Sequence, residues 1–271
     1  MYVIRLSQRW TGLCNQLFAL ANGIANKPAG IDTVYITGFA PDLGSTLLVP
    51  ASKIIDLTAT GKKLGVTLKD HSEKNRRGGS SFGWYTRDTA KFNMVLRCIT
   101  FNKRLVDLSE EIFPGLVQDP SVSVVHLRIE ADGLLHWSKQ NKMPLEGFKQ
   151  ALYNHYRTII KKHIPVGSCI IALTYDTGSP LIQELAKDYH VVQLDSKELL
   201  QRMLGFSGRE ACAVLDLLLG ERCNNVFVGC HNFKLNRGST FSYTLWQRMS
   251  KVKKGVFIDL DGIKNPPQIK N

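Results

Sequence analysis

No apolar run in the 271-residue sequence reaches the roughly 18 residues that a bilayer span needs, and no secretory leader opens it. The first residues, MYVIRL, already read as a strand, so the expectation is a soluble, cytoplasmic chain or one whose targeting segment has been removed. Cysteine is sparse: Cys14, Cys98, Cys169, Cys212, Cys223 and Cys230 include no C-x-x-C pair, which argues against a disulfide framework and against a zinc site. Cys98, Cys169 and Cys212 stand in apolar surroundings and read as small core residues. Neither G-x-G-x-x-G nor G-x-x-x-x-G-K-[ST] occurs, so the ordinary dinucleotide and P-loop readings lose support. In GFSGRE, Gly205 to Glu210, Arg209 stands where a nucleophile elbow needs its second glycine. His71, His136, His155, His163, His190 and His231 show no pairing that would build a nucleophile triad.

Acidic residues are in deficit. Against 35 Lys and Arg there are 23 Asp and Glu, giving a formal net charge of +12 that implies anionic company. Nucleic acid, a membrane surface and phosphorylated small molecules all qualify. The densest basic patch is KNRRGG, Lys74 to Gly79, in a Gly/Ser-rich stretch running on to SSFGWY. Arginines beside aromatics can stack on single-stranded bases, so nucleic-acid binding through residues 74–85 is carried as a second hypothesis, behind the plainer reading of a solvated loop.

What is present is a regular alternation of short apolar strands with longer helical patterns, the signature of α/β architecture with largely parallel sheets. Residues 2–6 and 33–38 read as strands around a helix at 15–26, and 94–113 include a helix, whereas 51–89 resist assignment. Turn residues from Pro114 to Pro120 place a boundary near residue 119, giving domains 1–118 and 119–271. In the second half, strands at 122–128, 168–176, 190–195, 225–229 and 255–262 alternate with helices at 145–163, 180–189, 209–223 and 241–252. That is the pattern of a doubly wound sheet, in which ligands bind beyond the carboxyl ends of the strands.

The polar strand ends are HLRIEAD, TYDTG and GCHNFKLNRGST. In SVSVVHLRIEAD, His126, Arg128, Glu130 and Asp132 occupy every second position, so a persisting strand would line them up on one side. Arg128 could grip a diphosphate with its planar fork, and Glu130 or Asp132 could take a proton from an incoming hydroxyl. Near the N-terminus, in TGLCNQLFALANGI, Gly12 turns the chain and Asn15 and Gln16 open a helix whose free amides could face a phosphate or sugar. Asn15 as an ordinary helix cap weighs equally. Late in the chain, Ser239, Thr240 and Ser242 precede or open a helix and could form an anion cradle or simply cap it. Asp259 and Asp261 form a DxD that reads as a terminal turn rather than a metal site.

Taken in order, TGLCNQLFALANGI, HLRIEAD and AVLDLLLGERCNNVFVG followed by GSTFS resemble the fucosyltransferase superfamily, most closely its GDP-fucose O-fucosyltransferase-like branch. The resemblance covers three separated parts of the chain and little between Asn26 and Val117. It implies a GT-B-like α/β fold, with two Rossmann-like domains of largely parallel sheets facing a cleft. It implies an inverting, metal-independent transferase with no cofactor beyond its nucleotide-sugar donor, GDP-fucose by family default or a UDP-sugar such as UDP-xylose. By the same carry-over, Arg128 binds the β-phosphate and His126 shapes its loop. Asp216, Ser239, Thr240, Phe241 and Ser242 hold the nucleotide, Gly12, Asn15 and Gln16 lie on the donor side with Asn15 facing the sugar, and Glu130 and Asp132 are unranked base candidates. The acceptor is then a carbohydrate or glycan. A catalytically silent sugar-nucleotide-binding relative is the remaining alternative.

Overall fold

The structure is a computed structural model that describes residues 1–6, 12–42, 45, 47–71, 89–112, 121–194, 200–201, 205, 208–222, 224–249 and 252–263. The basic stretch at 74–85 lies outside the described residues. Contacts divide the chain into two compact units, Met1–Ile112 with Ser196–Leu218, and Phe113–Asp195 with Leu219–Asn271.

The first unit runs β1 (Tyr2–Ile4), α1 (Leu13–Ala25), β2 (Thr33–Ile36), α2 (Ala51–Ile54), α3 (Leu57–Leu64), β3 (Thr67–Asp70), α4 (Thr89–Cys98) and α5 (Lys103–Ile112). Its strands form a parallel sheet in the order β1-β2-β3, with Ile4 opposite Ile36 and Val34 opposite Leu68. A Cβ at Gly23 would come within 2.6 Å of the Ile4 side chain, so this glycine lets α1 lie close on β1. The stretch that resisted sequence assignment folds as α2, α3 and β3. Asp56 caps α3 by accepting from the Ala59 N–H at 2.8 Å, and Gly65, at φ 65°, ends it in the left-handed conformation.

The second unit contains β4 (Ser123–His126), α6 (Ala131–Gln140), α7 (Leu145–His163), β5 (Cys169–Leu173), α8 (Pro180–Leu185) and β6 (His190–Val192). The chain then returns to the first unit with most of α9 (Arg209–Gly220). It finishes in the second unit with β7 (Val226–Gly229), β8 (His231–Asn232), β9 (Arg237–Gly238), α10 (Thr240–Arg248) and β10 (Lys254–Phe257). The main sheet is parallel throughout, in the order β10-β7-β4-β5-β6, and β8 and β9 form a small antiparallel ribbon.

Every residue of β4 and β7 is buried, as expected of central parallel strands covered on both faces. Helix α7 lays Phe148, Ala151, Leu152, Tyr156 and Ile160 along one face into the core, and ends with Lys161, Lys162 and His163 at its negative pole.

The contact division differs from the single boundary near 119 expected from the sequence, because α9 groups with the first unit. The Glu210 N–H donates to the Pro41 carbonyl at 3.1 Å, and Gly208 lets the backbones come that close, since a Cβ there would meet the same carbonyl oxygen at 1.9 Å. No described helix is long and apolar enough to cross a membrane.

Candidate functional site

At the carboxyl end of β4 the extended conformation does not persist to Asp132, and the strand is shorter than the 122–128 expected from sequence. The strand stops at His126, and α6 begins at Ala131 with Glu130 as its N-cap residue. The ionisable groups still meet, by a different route. The Arg128 guanidinium donates from Nη1 to Glu130 Oε2 at 2.7 Å and from Nη2 to Asp132 Oδ2 at 2.9 Å, with a longer Nη1 contact to Asp132 Oδ1 at 3.4 Å. It lies against the first turn of α6, where a Cβ at Gly133 would stand 2.8 Å from Arg128 Cζ. Any larger residue at 133 would push the guanidinium away.

The two carboxylates are not equivalent. The Glu130 side chain is 12% exposed and that of Asp132 46% exposed. The second oxygen of Glu130 also accepts from the Thr174 hydroxyl at 3.3 Å and the Tyr175 N–H at 3.4 Å, at the end of β5. Burial alone would raise the Glu130 pKa, but the positive charge of Arg128, and then His126, hold it below the usual carboxylate value. Burial disfavours the charge on Arg128 as well, and Glu130 and Asp132 more than offset this, so the guanidinium stays charged. Glu130 is therefore a fixed anion that orients Arg128, while Asp132 is its more accessible and more weakly held partner.

The adjoining loop between β7 and α10 is tied to β4 by buried polar groups. Ser239 caps α10 by accepting from the Ser242 N–H at 3.4 Å. The fully buried Ser242 hydroxyl turns inward, 2.7 Å from His126 Nδ1, and accepts from the Cys230 N–H at 2.8 Å. Phe241 stacks on the His126 ring at 4.6 Å between centroids. Of the two readings open in sequence, cradle or cap, Ser239 caps the helix and Ser242 braces His126 and Cys230. Thr240 and Phe241, both half-buried, remain at the helix start, where first-turn amides have no intrahelical acceptor. Sequence reading missed Tyr156, and it placed Thr174, Tyr175 and Cys230 in the polar strand ends TYDTG and GCHNFKLNRGST without giving them individual roles. The hydroxyl of Tyr156 lies at 0% exposure beneath this loop; a tyrosine on the core face of α7 was the available signal, since a buried hydroxyl must find partners.

In the first unit, Gly12 is the N-cap residue of α1 and has no side chain to cap with. The anion found at this helix start belongs to the chain itself: the Glu210 carboxylate accepts from the Leu13 N–H. A Cβ at Gly12 would approach Glu210 Oε2 to 3.2 Å. Gln16, expected on the donor side, is fully buried and makes a two-point bond to Ala40, donating to its carbonyl at 3.1 Å and accepting from its N–H at 2.9 Å. Both ends of its amide are used, so it is a brace for the chain after β2. Asn15 is half-buried, and its Oδ1 is enclosed without a hydrogen-bond partner. Asp216 sits half-buried on α9 in the first unit, whereas Ser239–Ser242 belong to the second.

The aspartates of the DxD are engaged elsewhere. Asp259 accepts from Asn232 Nδ2 at 2.7 Å and from the Asp261 N–H at 3.1 Å, and Asp261 faces Arg237 Nε at 3.3 Å. The five described cysteines, Cys14, Cys98, Cys169, Cys212 and Cys230, are thiols.

No family model and no curated protein sequence matches the chain. Solved structures do match it, over nearly its full length. POFUT1 in complex with GDP-fucose superposes with a TM-score of 0.61 at 10% identity, covering 97% of this chain and 98% of that one. The fold is that of the fucosyltransferases. The fucosyltransferase NodZ from Bradyrhizobium gives 0.56 at 15% identity, covering 98% and 96%. NodZ α-1,6-fucosyltransferase co-crystallized with GDP gives 0.55 at 14%, covering 95% and 94%. At these identities the likeness establishes the fucosyltransferase-like α/β fold with parallel sheets, matching the resemblance of the three sequence motifs.

Proposed function

We propose that the chain is a metal-independent, inverting glycosyltransferase that moves a sugar from a nucleoside-diphosphate donor to a glycan hydroxyl. GDP-fucose is the first candidate donor and UDP-xylose the second. The second unit is then the donor domain of a GT-B-type enzyme and the first supplies the acceptor side. The observation that carries this reading is Arg128, an oriented and permanently charged guanidinium at the carboxyl end of a central parallel strand. Solved proteins of the same fold were crystallized with GDP or GDP-fucose.

As the bond between sugar and phosphate breaks, negative charge grows on the leaving diphosphate and positive charge on the ring. A fixed cation and helix amides aimed at the diphosphate stabilise that transition state more than the ground state. The unequal carboxylates give the binding step a route. The carboxylates differ in exposure, so a diphosphate, itself an anion, can take the place of the half-exposed Asp132 while Glu130 keeps the guanidinium aimed. Asp132, the more exposed of the two carboxylates, is then the preferred base for the acceptor's proton over the enclosed Glu130.

The test is mass-spectrometric detection of sugar transfer to a glycan panel from GDP-fucose and UDP-xylose, in the presence of a chelator, for wild type and Asp132→Asn. Transfer from one donor, with kcat reduced at least about tenfold in the variant, is the expected result. Equal turnover in the variant removes Asp132 as base. No transfer and no nucleotide binding return the basic, polyanion-binding reading to first place.

A further inference from the structure

The least solvent-accessible part of the candidate donor site is also its most connected. The Tyr156 hydroxyl, on the core face of α7, accepts from the Arg128 N–H at 2.9 Å and donates to the His126 carbonyl at 3.1 Å. It also lies 2.6 Å from Cys230 Sγ. Burial pushes the Cys230 pKa up to about 12, so the sulfur keeps its hydrogen, with the tyrosine oxygen at 2.6 Å and the His126 carbonyl at 3.8 Å both in reach. Cys230 continues the chain of contacts: its own N–H donates to Ser242 Oγ, which meets His126 Nδ1. The result is a closed ring, from His126 through Ser242, Cys230 and Tyr156 back to the backbone at 126 and 128.

The backbone on either side of Leu127, where β4 has ended and α6 has not begun, has few regular-structure bonds to fix it. One regular bond reaches Leu127, whose N–H donates to the Leu173 carbonyl at 3.0 Å. The Arg128 N–H donates to Tyr156 and also faces the Cys230 sulfur. A guanidinium is useful for diphosphate only if its fork is held at one height and angle.

We propose that Tyr156 is a positioning residue of the donor site, setting the backbone of Arg128 and, through the Cys230 thiol, coupling it to the start of α10. This rests on the nucleotide-donor reading and deepens it, because it assigns the grip on the terminal phosphate to a hydroxyl that never touches the ligand. A merely structural tyrosine would, when altered, loosen all ligand contacts alike. A positioning tyrosine alters the terminal phosphate selectively.

The experiment is calorimetric titration of wild type, Tyr156→Phe and Cys230→Ala with GDP and GMP, and with UDP and UMP. The readout is the ratio of monophosphate to diphosphate Kd for the base that wild type binds, which isolates the terminal phosphate. Tyr156→Phe keeps the ring and removes one oxygen. The expected result is that diphosphate Kd rises about tenfold while monophosphate Kd stays within about twofold, so the ratio collapses. Cys230→Ala, which leaves Tyr156 and its two backbone bonds in place, should shrink the ratio by about threefold, with recovery in Cys230→Ser; it serves as the test should Tyr156→Phe fail to fold. Parallel weakening of both ligands, or an unchanged ratio, overturns the proposal while leaving the nucleotide reading intact. No nucleotide binding by wild type overturns both.

Discussion

The start of α1 in the first unit and the Arg128 cluster in the second carry the same kind of promise in sequence, yet the fold uses them differently. At α1 the polar groups are spent on the protein: Glu210 takes the Leu13 amide, and Gln16 uses both amide ends on Ala40. At Arg128 the partners are graded, with Glu130 enclosed and Asp132 half open to solvent. On the proposed reading, an anionic ligand takes Asp132's place on the guanidinium while Glu130 stays paired with it. The comparison teaches that a polar motif becomes a site only where at least one partner is cheap to displace.

The largest effect is expected from Arg128→Lys, which keeps the charge and loses the planar fork; transfer rate should fall about a hundredfold, measured at saturating donor. A near-normal rate would mean that charge alone suffices and that the grading of carboxylates is irrelevant. At the α1 end, Gln16→Leu should cost about 2–4 kcal/mol of folding stability, since it strands both the N–H and the carbonyl of Ala40. Urea unfolding measures it, and an unchanged midpoint would reopen Gln16 as a ligand residue. Glu210→Ala removes the cap of α1 and should cost about 1–2 kcal/mol by the same measurement.

The smallest effect is a pH dependence. The folded-state pKa of Glu130 is depressed below its ordinary 4.5, so its contribution to stability is present above that value and is lost as pH falls through the lower folded value. The stability gap between wild type and Glu130→Gln should therefore narrow as pH drops from about 5 to about 3. A constant gap would place Glu130 outside the ion pair.

Much of the second unit was legible in sequence. Its central strands are continuous apolar runs, and α7 repeats its apolar residues at helical spacing over 19 residues. Helix α6 was missed because Gly133 lowers its helical propensity and its apolar face is short; that glycine is there to make room for Arg128. Strand β3 was missed because Leu68 is its one buried residue. At the site, HLRIEAD pointed to Arg128, Glu130 and Asp132 as a group but not to the turn into α6 that brings them together, and the bracing of Gln16 and Ser242 could not be read at all. Their partners, Ala40, His126 and Cys230, are brought to them by tertiary packing, and Glu210 stands 197 residues from the amide it caps. Local pattern names the polar residues; long-range pairing decides which of them are left over for a ligand.

The most direct test of the account is calorimetric titration of wild type and Arg128→Ala with GDP and with UDP, without added metal. The account predicts saturable binding of one of the two by wild type and at least a hundredfold loss, about 2.7 kcal/mol, in the variant. Undiminished binding by Arg128→Ala, or no binding of either nucleotide by wild type, would contradict it.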